Sequence, residues 1–356
     1  MRTIAIVNQK GGCGKTTTAI SLSACLAASH RKVLLIDLDP QSHASIGLNI
    51  KVDELEKSAY DIFSASQEIK LEDAMVAIDS RLDLVPSQVV LSAVEQELAG
   101  RQGRESVLLQ SLRGMGRSYD YVIVDCPPNL GMLTFNALRA CAEALIPVDM
   151  SVFSLQGVSR LLEVLEVLRM GYGHEIAYKA LATMCDPRTL FAVELLNNIK
   201  KYFGERVYTT VIHPTVKLRE AAGFGIPITT YDQRCRGAAD YRELADEVMA
   251  EEKRRGKVKT ASCVLGPRQT EQGVLFSYYD PAARDVQLAG DFSDWKPLSN
   301  VLVKEDKDRV WKCVVSLNPG RYQYKFIVDG EWRTDPNNEE VIIDDTGVSN
   351  SSLMVS

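Results

Sequence analysis

The chain has 356 residues, of which 46% are hydrophobic and 25% are charged. This composition excludes a mainly disordered chain and is typical of a soluble protein with two or three domains. The net charge of -6 is uneven, because residues 268–356 hold 10 Lys/Arg and 15 Asp/Glu, while residues 1–267 are close to neutral. No apolar run has the length of a membrane span, and a strand pattern rather than a signal peptide opens the sequence. We therefore expect a cytoplasmic protein without a membrane partner.

Residues 1–250 alternate β-branched strand patterns with amphipathic helical patterns. Strands are predicted at residues 3–7, 33–36, 121–124 and 144–148, and helices at residues 16–28 and 156–170. Such alternation predicts an α/β fold in which helices cover both faces of a mostly parallel sheet. The cysteines are widely spaced and include no C-x-x-C pair, so we expect reduced thiols rather than disulfide bonds or a zinc site.

A charged segment follows this α/β part of the sequence. Apolar periodicity is lost after Ala250, which predicts a first domain of residues 1–252 and a charged linker of residues 253–270. Beyond the linker, alternating segments are separated by turn sequences, and these segments fall at residues 274–278, 286–289, 310–317 and 322–328. Residues 271–356 are therefore expected to form an all-β, immunoglobulin-like sandwich.

A glycine-rich loop with the sequence Lys-Gly-Gly-Cys-Gly-Lys-Thr-Thr occupies residues 10–17, between the first predicted strand and the first predicted helix. Glycines let backbone N–H groups converge on a phosphate chain, Lys15 adds a positive charge for the β- and γ-phosphates, and the Thr16 hydroxyl is placed to bind Mg²⁺. An ordinary glycine-rich turn, which is the alternative, explains the order of strand, loop, Lys-Thr pair and helix poorly. The sequence thus predicts a nucleotide site formed by Gly11, Gly12, Cys13, Gly14, Lys15, Thr16 and Thr17.

Three aspartates follow predicted strands. Asp125 ends the strand at residues 121–124, and Asp37 and Asp39 follow the strand at residues 33–36. Since ligands of α/β folds bind where parallel strands end, Asp125 is expected to hold Mg²⁺ through water. One of Asp37 and Asp39 is expected to position the attacking water and the other to join the metal shell. Helix capping or turn chemistry is the alternative for this pair.

Residues 1–250 resemble the deviant Walker ATPases of the ParA/Soj/MinD group, and small ParA/Soj proteins most closely. The resemblance rests on Lys10, on Asp-Leu-Asp-Pro-Gln at residues 37–41 and on Asp-Cys-Pro-Pro at residues 125–128. It implies that Lys10 is the signature lysine, which reaches the partner's phosphates in an ATP-bound homodimer. It also implies that Asp39 is essential for hydrolysing ATP to ADP and phosphate, with Asp37 in the metal shell and Asp125 at the Walker B position.

The same resemblance implies partitioning or positioning of a cargo, with a ParB-like activator or cargo adaptor as a partner. Because so few residues precede Lys10, we expect neither an N-terminal helix-turn-helix domain nor a repressor role. A MinD-like membrane ATPase would need a C-terminal amphipathic helix, which the last residues of the sequence do not suggest.

Small ParA proteins bind DNA without sequence preference as ATP dimers, using basic residues in the C-terminal part of the fold. Such binding depends on several phosphate contacts, which a dimer doubles. Solvated charge scattered over helix faces is the alternative. The candidates for DNA contacts are Lys200, Lys201, Arg206, Lys217, Arg219, Arg234 and Arg236.

Alternation at the end of the chain separates two faces of a predicted strand. Tyr322, Tyr324 and Phe326 should face the core of the sandwich, which places Lys325 on the opposite surface. Trp295 and Trp332 stand in polar, loop-like sequence. An exposed indole can pack on the C–H face of a sugar ring while neighbouring polar groups bind its hydroxyls. The alternative is that both tryptophans fill the core.

Residues 273–355 are similar to the glycogen-binding module of the AMP-activated kinase β-subunit. The similarity implies that Trp295, Lys325, Trp332 and Asn350 contact an α-glucan. We therefore expect glycogen or another α-1,4-glucan as a partner of the second domain. The competing hypothesis is that this domain is a protein-interaction module that docks the ATPase on a partner.

Overall fold

The structure is a computed structural model. It describes residues 1–64, 69–101, 103–151, 154–261, 267–270, 273–280, 283–298, 303–305, 310–336, 338, 340–343 and 349–355. The chain divides into two compact units, Met1–Ala250 and Glu251–Ser356. Within the described residues, no helix combines the length and the apolar character that crossing a bilayer requires.

The first unit is built on one eight-stranded sheet. Its strands are β1 (Arg2–Ile6), β2 (Val33–Asp37), β3 (Val76–Ala77), β4 (Leu82–Val85), β5 (Tyr121–Asp125), β6 (Glu143–Asp149), β7 (Ala177–Thr183) and β8 (Val207–Val211). They lie in the order β3-β4-β2-β5-β1-β6-β7-β8, and the edge strand β3 is antiparallel to β4 while the other described pairs are parallel. The predicted mostly parallel sheet is confirmed.

Helices cover both faces of this sheet. They are α1 (Lys15–Ala28), α2 (His43–Ile46), α3 (Ala59–Phe63), α4 (Val94–Glu97), α5 (Val107–Arg113), α6 (Met132–Ala140), α7 (Ser154–Tyr172), α8 (Leu190–Phe203), α9 (Val216–Gly223), α10 (Ile228–Tyr231) and α11 (Arg236–Ala261). Because side chains alternate along a strand, Ile4 and Ile6 share one buried apolar cluster with α1 and α11. Ala5 and Val7 belong to the cluster on the opposite face, with α5, α6 and α7.

The carboxyl edge of the central strands gathers the loop and the aspartates. The pairing of β2 with β5 sets Asp37 opposite Asp125, and the pairing of β1 with β5 sets Ile6 opposite Asp125. The loop that follows β1 therefore begins beside both carboxylates. β6 and β7 end at the same edge, where Asp149 lies opposite Thr183.

Helix α11 extends into the segment predicted to be a linker. It continues to Ala261, so the backbone of residues 253–261 is helical. Glu, Lys and Arg are good helix formers, which explains how a charged sequence without an apolar face continues a helix that began in the core. Residues 262–266 of the predicted linker lie outside the described residues.

The second unit contains two antiparallel sheets. Its strands are β9 (Arg268–Thr270), β10 (Gly273–Tyr279), β11 (Val286–Gly290), β12 (Val303–Glu305), β13 (Val310–Val315), β14 (Gly320–Val328), β15 (Glu331–Arg333), β16 (Val341–Ile343) and β17 (Ser349–Val355). One sheet has the order β12-β13-β10-β9 and the other β11-β14-β17-β16, with β15 also paired to β14.

Aromatic residues from both sheets form the core of the second unit. Phe276 of β10 and Tyr324 and Phe326 of β14 are fully buried, and the ring centroids of Phe276 and Tyr324 are 4.9 Å apart. Tyr322 packs at the margin of this core. The predicted β-sandwich and the inward direction of its aromatic set are confirmed.

Candidate functional site

The loop after β1 leaves open space of the kind that a phosphate chain occupies. Gly12 and Gly14 have φ angles of 74° and 91°, which residues with a side chain rarely adopt. A Cβ atom added at Gly11 or Gly12 would meet no atom within 4 Å. Gly14 is the N-cap of α1, so the loop leads directly into a helix N-terminus. A curved glycine-rich backbone joined to a helix N-terminus binds anions well.

Two hydrogen bonds hold the backbone of the loop, one from Lys15 within it and one from strand β7. Lys15 is 7% exposed, and its Nζ donates to the backbone oxygen of Lys10 at 2.9 Å. Thr183, the last residue of β7, donates from Oγ1 to the backbone oxygen of Cys13 at 2.8 Å. The predicted nucleotide-binding residues thus form one curved loop, and the ammonium group of Lys15 is held against it.

Asp125 has two buried carboxylate oxygens without a hydrogen-bond partner among the described residues. Burial, followed by the negative charge of Asp37, raises the pKa of the Asp125 carboxyl well above its usual range. The Thr16 hydroxyl and the Lys15 ammonium group act on this pKa in the opposite direction. A buried carboxylate is costly unless a proton or a cation neutralises it, so this edge of the sheet is suited to a divalent cation.

Asp37 is held by Ser45 of helix α2. Ser45 donates to Asp37 Oδ2 from its backbone nitrogen at 2.9 Å and from its hydroxyl at 2.7 Å. The backbone nitrogen of Asp39 donates to Asp37 Oδ1 at 3.1 Å. Burial nevertheless raises the pKa of the Asp37 carboxyl to about 6. Asp37 is therefore a carboxylate that a bound cation would favour in its ionised form.

Ser45 and Ser87 together connect Asp37 to the backbone of Asp39. The hydroxyl of Ser45 accepts from the backbone nitrogen of Ser87 at 2.9 Å, and Ser87 Oγ donates to the backbone oxygen of Asp39 at 2.7 Å. Asp39 is 7% exposed, and its Oδ1 accepts from the backbone nitrogen of Gln41 at 3.0 Å. The sequence interpretation missed both serines. Ser87 lies just beyond the carboxyl end of β4, the position that could have identified it.

The donor set at this edge fits a magnesium ion that takes most of its ligands from phosphates and water. Within the described parts of the chain, no group of three or more His, Cys, Asp or Glu side chains could hold a metal ion. Mg²⁺ needs no such cage, since one or two protein oxygens and substrate phosphates usually bind it. The Thr16 hydroxyl and the buried carboxylate oxygens of Asp125 are suitable protein oxygens.

The pKa of Asp37 predicts how stabilisation by Mg²⁺-ADP depends on pH. The pKa is raised from 3.8 to about 6, so the stability that the Asp37 proton contributes is complete below the lower value and is lost as the pH rises through the higher one. Mg²⁺ competes with protons for the edge carboxylates. We expect Mg²⁺-ADP to raise the melting temperature more at about pH 7.5 than at about pH 5.5.

Thermal unfolding at both pH values, with Mg²⁺-ADP, with ADP and EDTA, and without ligand, checks this expectation. Asp37→Asn is the matched control, because it removes the titration of Asp37 and keeps the pH dependence that belongs to Asp125 and to the nucleotide. Equal shifts in the unmodified chain and in the variant at both pH values would contradict the titration of Asp37.

Lys10 contacts the end of β6. Its ammonium group forms an ion pair with Asp149 and also donates to Ser151 Oγ. The sequence interpretation did not identify either partner. Asp149 ends a strand at the same sheet edge as Asp37 and Asp125, so the rule that identified those aspartates could have identified it as well.

A cleft of about 290 Å³ opens beside the loop. It is lined by residues of the loop and α1, by residues at the ends of β7 and β8, and by residues of α9 and α11: Gly14, Thr17, Thr183, Met184, Ile212, His213, Pro214, Thr215, Leu218, Arg219 and Tyr241. Met184 is 46% exposed. A mainly apolar cleft next to a phosphate loop suits a nucleotide base. The sequence interpretation missed it, although Met184 and Pro214 follow strands that end at the predicted edge.

The four residues expected to contact glucan lie on one side of the second unit. Trp295 and Trp332 have ring centroids 6.3 Å apart, and Trp332 is 48% exposed. Trp332 is opposite Ile327 in the pairing of β15 with β14, which puts it on the same face as Lys325. Asn350 Nδ2 donates to Gln323 Oε1 at 3.0 Å, and Gln323 also shares this face.

A third tryptophan, and neither of these two, lies in the core of the sandwich. Trp311 is 8% exposed and belongs to the buried apolar cluster of this unit, whereas Trp295 and Trp332 are not among the residues of that cluster. The alternative in which both tryptophans fill the core is therefore wrong. The two indoles and the polar side chains beside them form what we call the indole face, defined by Trp295, Gln323, Lys325, Trp332 and Asn350.

The seven basic residues predicted to contact DNA fall into two groups. Lys200, Lys201 and Arg206 lie at the end of α8 and before β8, near the amino end of that strand. The others lie beyond the carboxyl end of β8, and they are Lys217, Arg219, Arg234 and Arg236. In this second group, Lys217 pairs with Glu220 at 2.9 Å and Arg236 with Asp240 at 2.8 Å. The seven residues therefore do not make one continuous patch on a single chain.

A strand, a phosphate loop with a Lys-Thr pair and strand-end aspartates define a P-loop nucleotide-binding protein. Residues 1–177 match the family model described as an AAA domain. The sporulation initiation inhibitor protein Soj of Bacillus subtilis is 41% identical over 248 residues, which cover 69% of this chain and 98% of Soj. The chromosome partitioning protein ParA of Myxococcus xanthus is 38% identical over 250 residues, which cover 70% of this chain and 88% of that protein. The chain belongs to the ParA/Soj family of partitioning ATPases.

A solved structure matches the first unit, and a family model matches the second. A structure of cobyrinic acid a,c-diamide synthase from Mycobacterium smegmatis with a bound ATP analogue and magnesium matches with a TM-score of 0.64 at 30% identity, covering 71% of this chain and 96% of that one. Residues 274–356 match the family model described as the glycogen recognition site of AMP-activated protein kinase. Both resemblances predicted from the sequence are confirmed.

Proposed function

We propose that this chain is a Mg²⁺-dependent ATPase that forms an ATP-bound homodimer, partitions or positions a cargo, and is tethered to glycogen or another α-1,4-glucan by residues 271–356. The observation that carries the ATPase half is the buried carboxylate of Asp125, which has no hydrogen-bond partner among the described residues, beside an open phosphate loop. The glucan half is supported by the indole face, where two tryptophans stand next to polar side chains.

In this proposal the loop binds the phosphates of ATP. Backbone N–H groups of residues 11–17 and the N-terminus of α1 hold the phosphate oxygens, and Lys15 neutralises part of their charge. Thr16, Asp37 and Asp125 would hold Mg²⁺, and the bound ion would supply electrostatic stabilisation of the phosphate charge. The cleft beside the loop takes the base, with Met184 and Pro214 as apolar contacts.

Asp39 and Lys10 have different tasks in hydrolysis. Asp39 orients the attacking water, and the hydrogen bond from Ser87 to its backbone oxygen keeps the residue beside the loop. Lys10 acts on the phosphates of the second copy, where it neutralises charge that develops during phosphoryl transfer. Hydrolysis therefore requires the dimer, because each copy lacks this charge on its own.

Further partners follow from family membership. We propose that the ATP-bound dimer also binds duplex DNA without sequence preference, through Lys200, Lys201 and Arg206 of both copies. Among the described residues, none of these three forms an ion pair, whereas Lys217 and Arg236 do. Doubling a modest basic group by dimerisation raises the number of phosphate contacts. A ParB-like activator or a cargo adaptor completes the proposed set of partners.

The indole face gives the test of glucan binding. A sugar ring packs its C–H face on an indole, and Lys325 can bind its hydroxyls. Asn350 is 4% exposed and donates to Gln323, so its part in binding is to orient that neighbour. Replacing Trp332 with alanine should weaken binding to glycogen by about tenfold or more, because such aromatic anchors carry much of the binding energy of an interface. Trp295→Ala together with Trp332→Ala should abolish co-sedimentation of the full chain with glycogen.

Val314→Ala is the matched control, because Val314 is 42% exposed on β13, in the other sheet of the same unit. It should sediment with glycogen like the unmodified chain. Glycogen binding that survives the double tryptophan variant would refute the indole face as the glucan site.

A further inference from the structure

The ammonium group of Lys10 is fully engaged within its own chain. Its Nζ lies 2.8 Å from Asp149 Oδ1 and 2.6 Å from Asp149 Oδ2, and it also donates to Ser151 Oγ. A lysine ammonium group has three N–H donors and no acceptor. With two carboxylate oxygens and one hydroxyl in contact among the described residues, the donors of Lys10 are directed within its own chain.

The backbone that carries Lys10 is tied to the same strand. Asn8 is fully buried and donates from Nδ2 to the backbone oxygen of Pro147 in β6 at 2.7 Å. The backbone nitrogen of Lys10 donates to Asn8 Oδ1 at 3.1 Å. A Cβ atom added at Gly157 of α7 would come within 3.3 Å of Asn8 Oδ1, so this helix leaves little room around Asn8. The start of the loop is therefore anchored to β6 by backbone and side-chain contacts.

We propose that Asp149, assisted by Ser151, is a positioning residue that holds Lys10 in cis and must release it before Lys10 can reach the phosphates of a second copy. The inference rests on the proposed function, in which Lys10 acts in trans. The side chains of Lys10 and Asp149 are 29% and 16% exposed, so solvent and salt weaken their ion pair only in part. The pair competes with dimerisation and sets the protein concentration at which ATP joins two copies.

Competition between the Lys10–Asp149 ion pair and dimerisation predicts the direction in which a substitution changes the dimerisation midpoint. Asp149→Asn keeps the size of the side chain and removes its charge, which weakens the hold on Lys10. ATP-dependent dimerisation should then occur at a protein concentration about fivefold lower for each ion pair that has to open. The hydrolysis rate per dimer should stay unchanged at saturating protein, because Asp149 takes no part once Lys10 has moved.

The experiment measures the ATP-dependent dimerisation midpoint by analytical ultracentrifugation and the ATPase rate against protein concentration, on the full chain. Ser151→Ala is the second variant, and it should lower the midpoint by about twofold, since it removes one contact without changing the charge. Glu166→Gln is the matched control, because it breaks the exposed ion pair with Arg169 on α7 without touching Lys10. The control should behave like the unmodified chain.

A midpoint that is unchanged or raised in Asp149→Asn would overturn the inference, and so would a loss of activity per dimer. The variant Lys10→Ala separates this failure from a failure of the proposed function. If Lys10→Ala still hydrolyses ATP at the normal rate, the trans role of Lys10 is wrong. If Lys10→Ala is inactive while Asp149→Asn and Ser151→Ala dimerise normally, only the hold by Asp149 is wrong.

Discussion

Replacing Lys10 with alanine is expected to lower the rate of ATP hydrolysis by about a thousandfold or more, the effect of losing a cationic group supplied in trans in other phosphoryl-transfer enzymes. The loop itself should remain formed, because Lys15 bonds the backbone oxygen of residue 10 and Thr183 bonds Cys13. Steady-state hydrolysis and equilibrium binding of a fluorescent ATP analogue by the monomer check the two parts of this prediction.

Asp39→Ala is the control that separates dimerisation from hydrolysis. It keeps Lys10 and should give an ATP-bound dimer that accumulates because it does not hydrolyse its nucleotide, whereas Lys10→Ala should give neither the dimer nor hydrolysis. If Lys10→Ala keeps more than about a tenth of the normal rate of hydrolysis, Lys10 does not stabilise the transition state.

The variant Asp125→Asn is expected to lose hydrolysis by at least about a hundredfold, because the nucleotide then lacks a charged partner for its cation. The same substitution should raise the stability of the nucleotide-free protein at alkaline pH by about 1 to 2 kcal/mol, since a fully buried carboxylate no longer has to ionise in the interior. A lower rate of hydrolysis together with a higher stability is expected when a buried charge is kept for ligand binding at the expense of folding.

Asp83→Asn is the matched control for this substitution. Asp83 lies on β4 of the same sheet, and its Oδ2 accepts from the Tyr119 hydroxyl at 2.6 Å. It should leave hydrolysis near normal and should not raise stability. Chemical unfolding and ATPase assays of both variants decide the matter. Normal hydrolysis by Asp125→Asn would exclude Asp125 from the site.

The sheet edge could be predicted because it depends on strand order and strand ends. Asp37 and Asp125 each end an apolar run, and parallel strands bring such ends together. The side-chain contacts that hold these groups could not be assigned in the same way. Ser45 reaches Asp37 from a four-residue helix, and Asp149 reaches Lys10 through a side-chain contact between segments 139 residues apart. Sequence periodicity carries no information on contacts of that kind.

The basic residues show a second limit. Lys200 and Lys217 are close in sequence, but the chain crosses the sheet along β8 between them, which carries them to opposite ends of that strand. Counting basic residues along the sequence therefore overestimates the size of a basic surface patch. The indole face was predictable for the opposite reason, because alternation along β14 separates Lys325 from the buried Tyr324 and Phe326 whatever the tertiary context.

The central claim is that one chain both hydrolyses ATP and binds an α-glucan, and one measurement tests it directly. The full chain is sedimented with glycogen, and Mg²⁺-dependent ATPase activity is measured in the pellet and in the supernatant. We predict that the activity is found in the pellet and that it moves to the supernatant, undiminished, in the variant with Trp295→Ala and Trp332→Ala. ATPase activity of the unmodified chain that stays in the supernatant, or a pellet without activity, would contradict the claim.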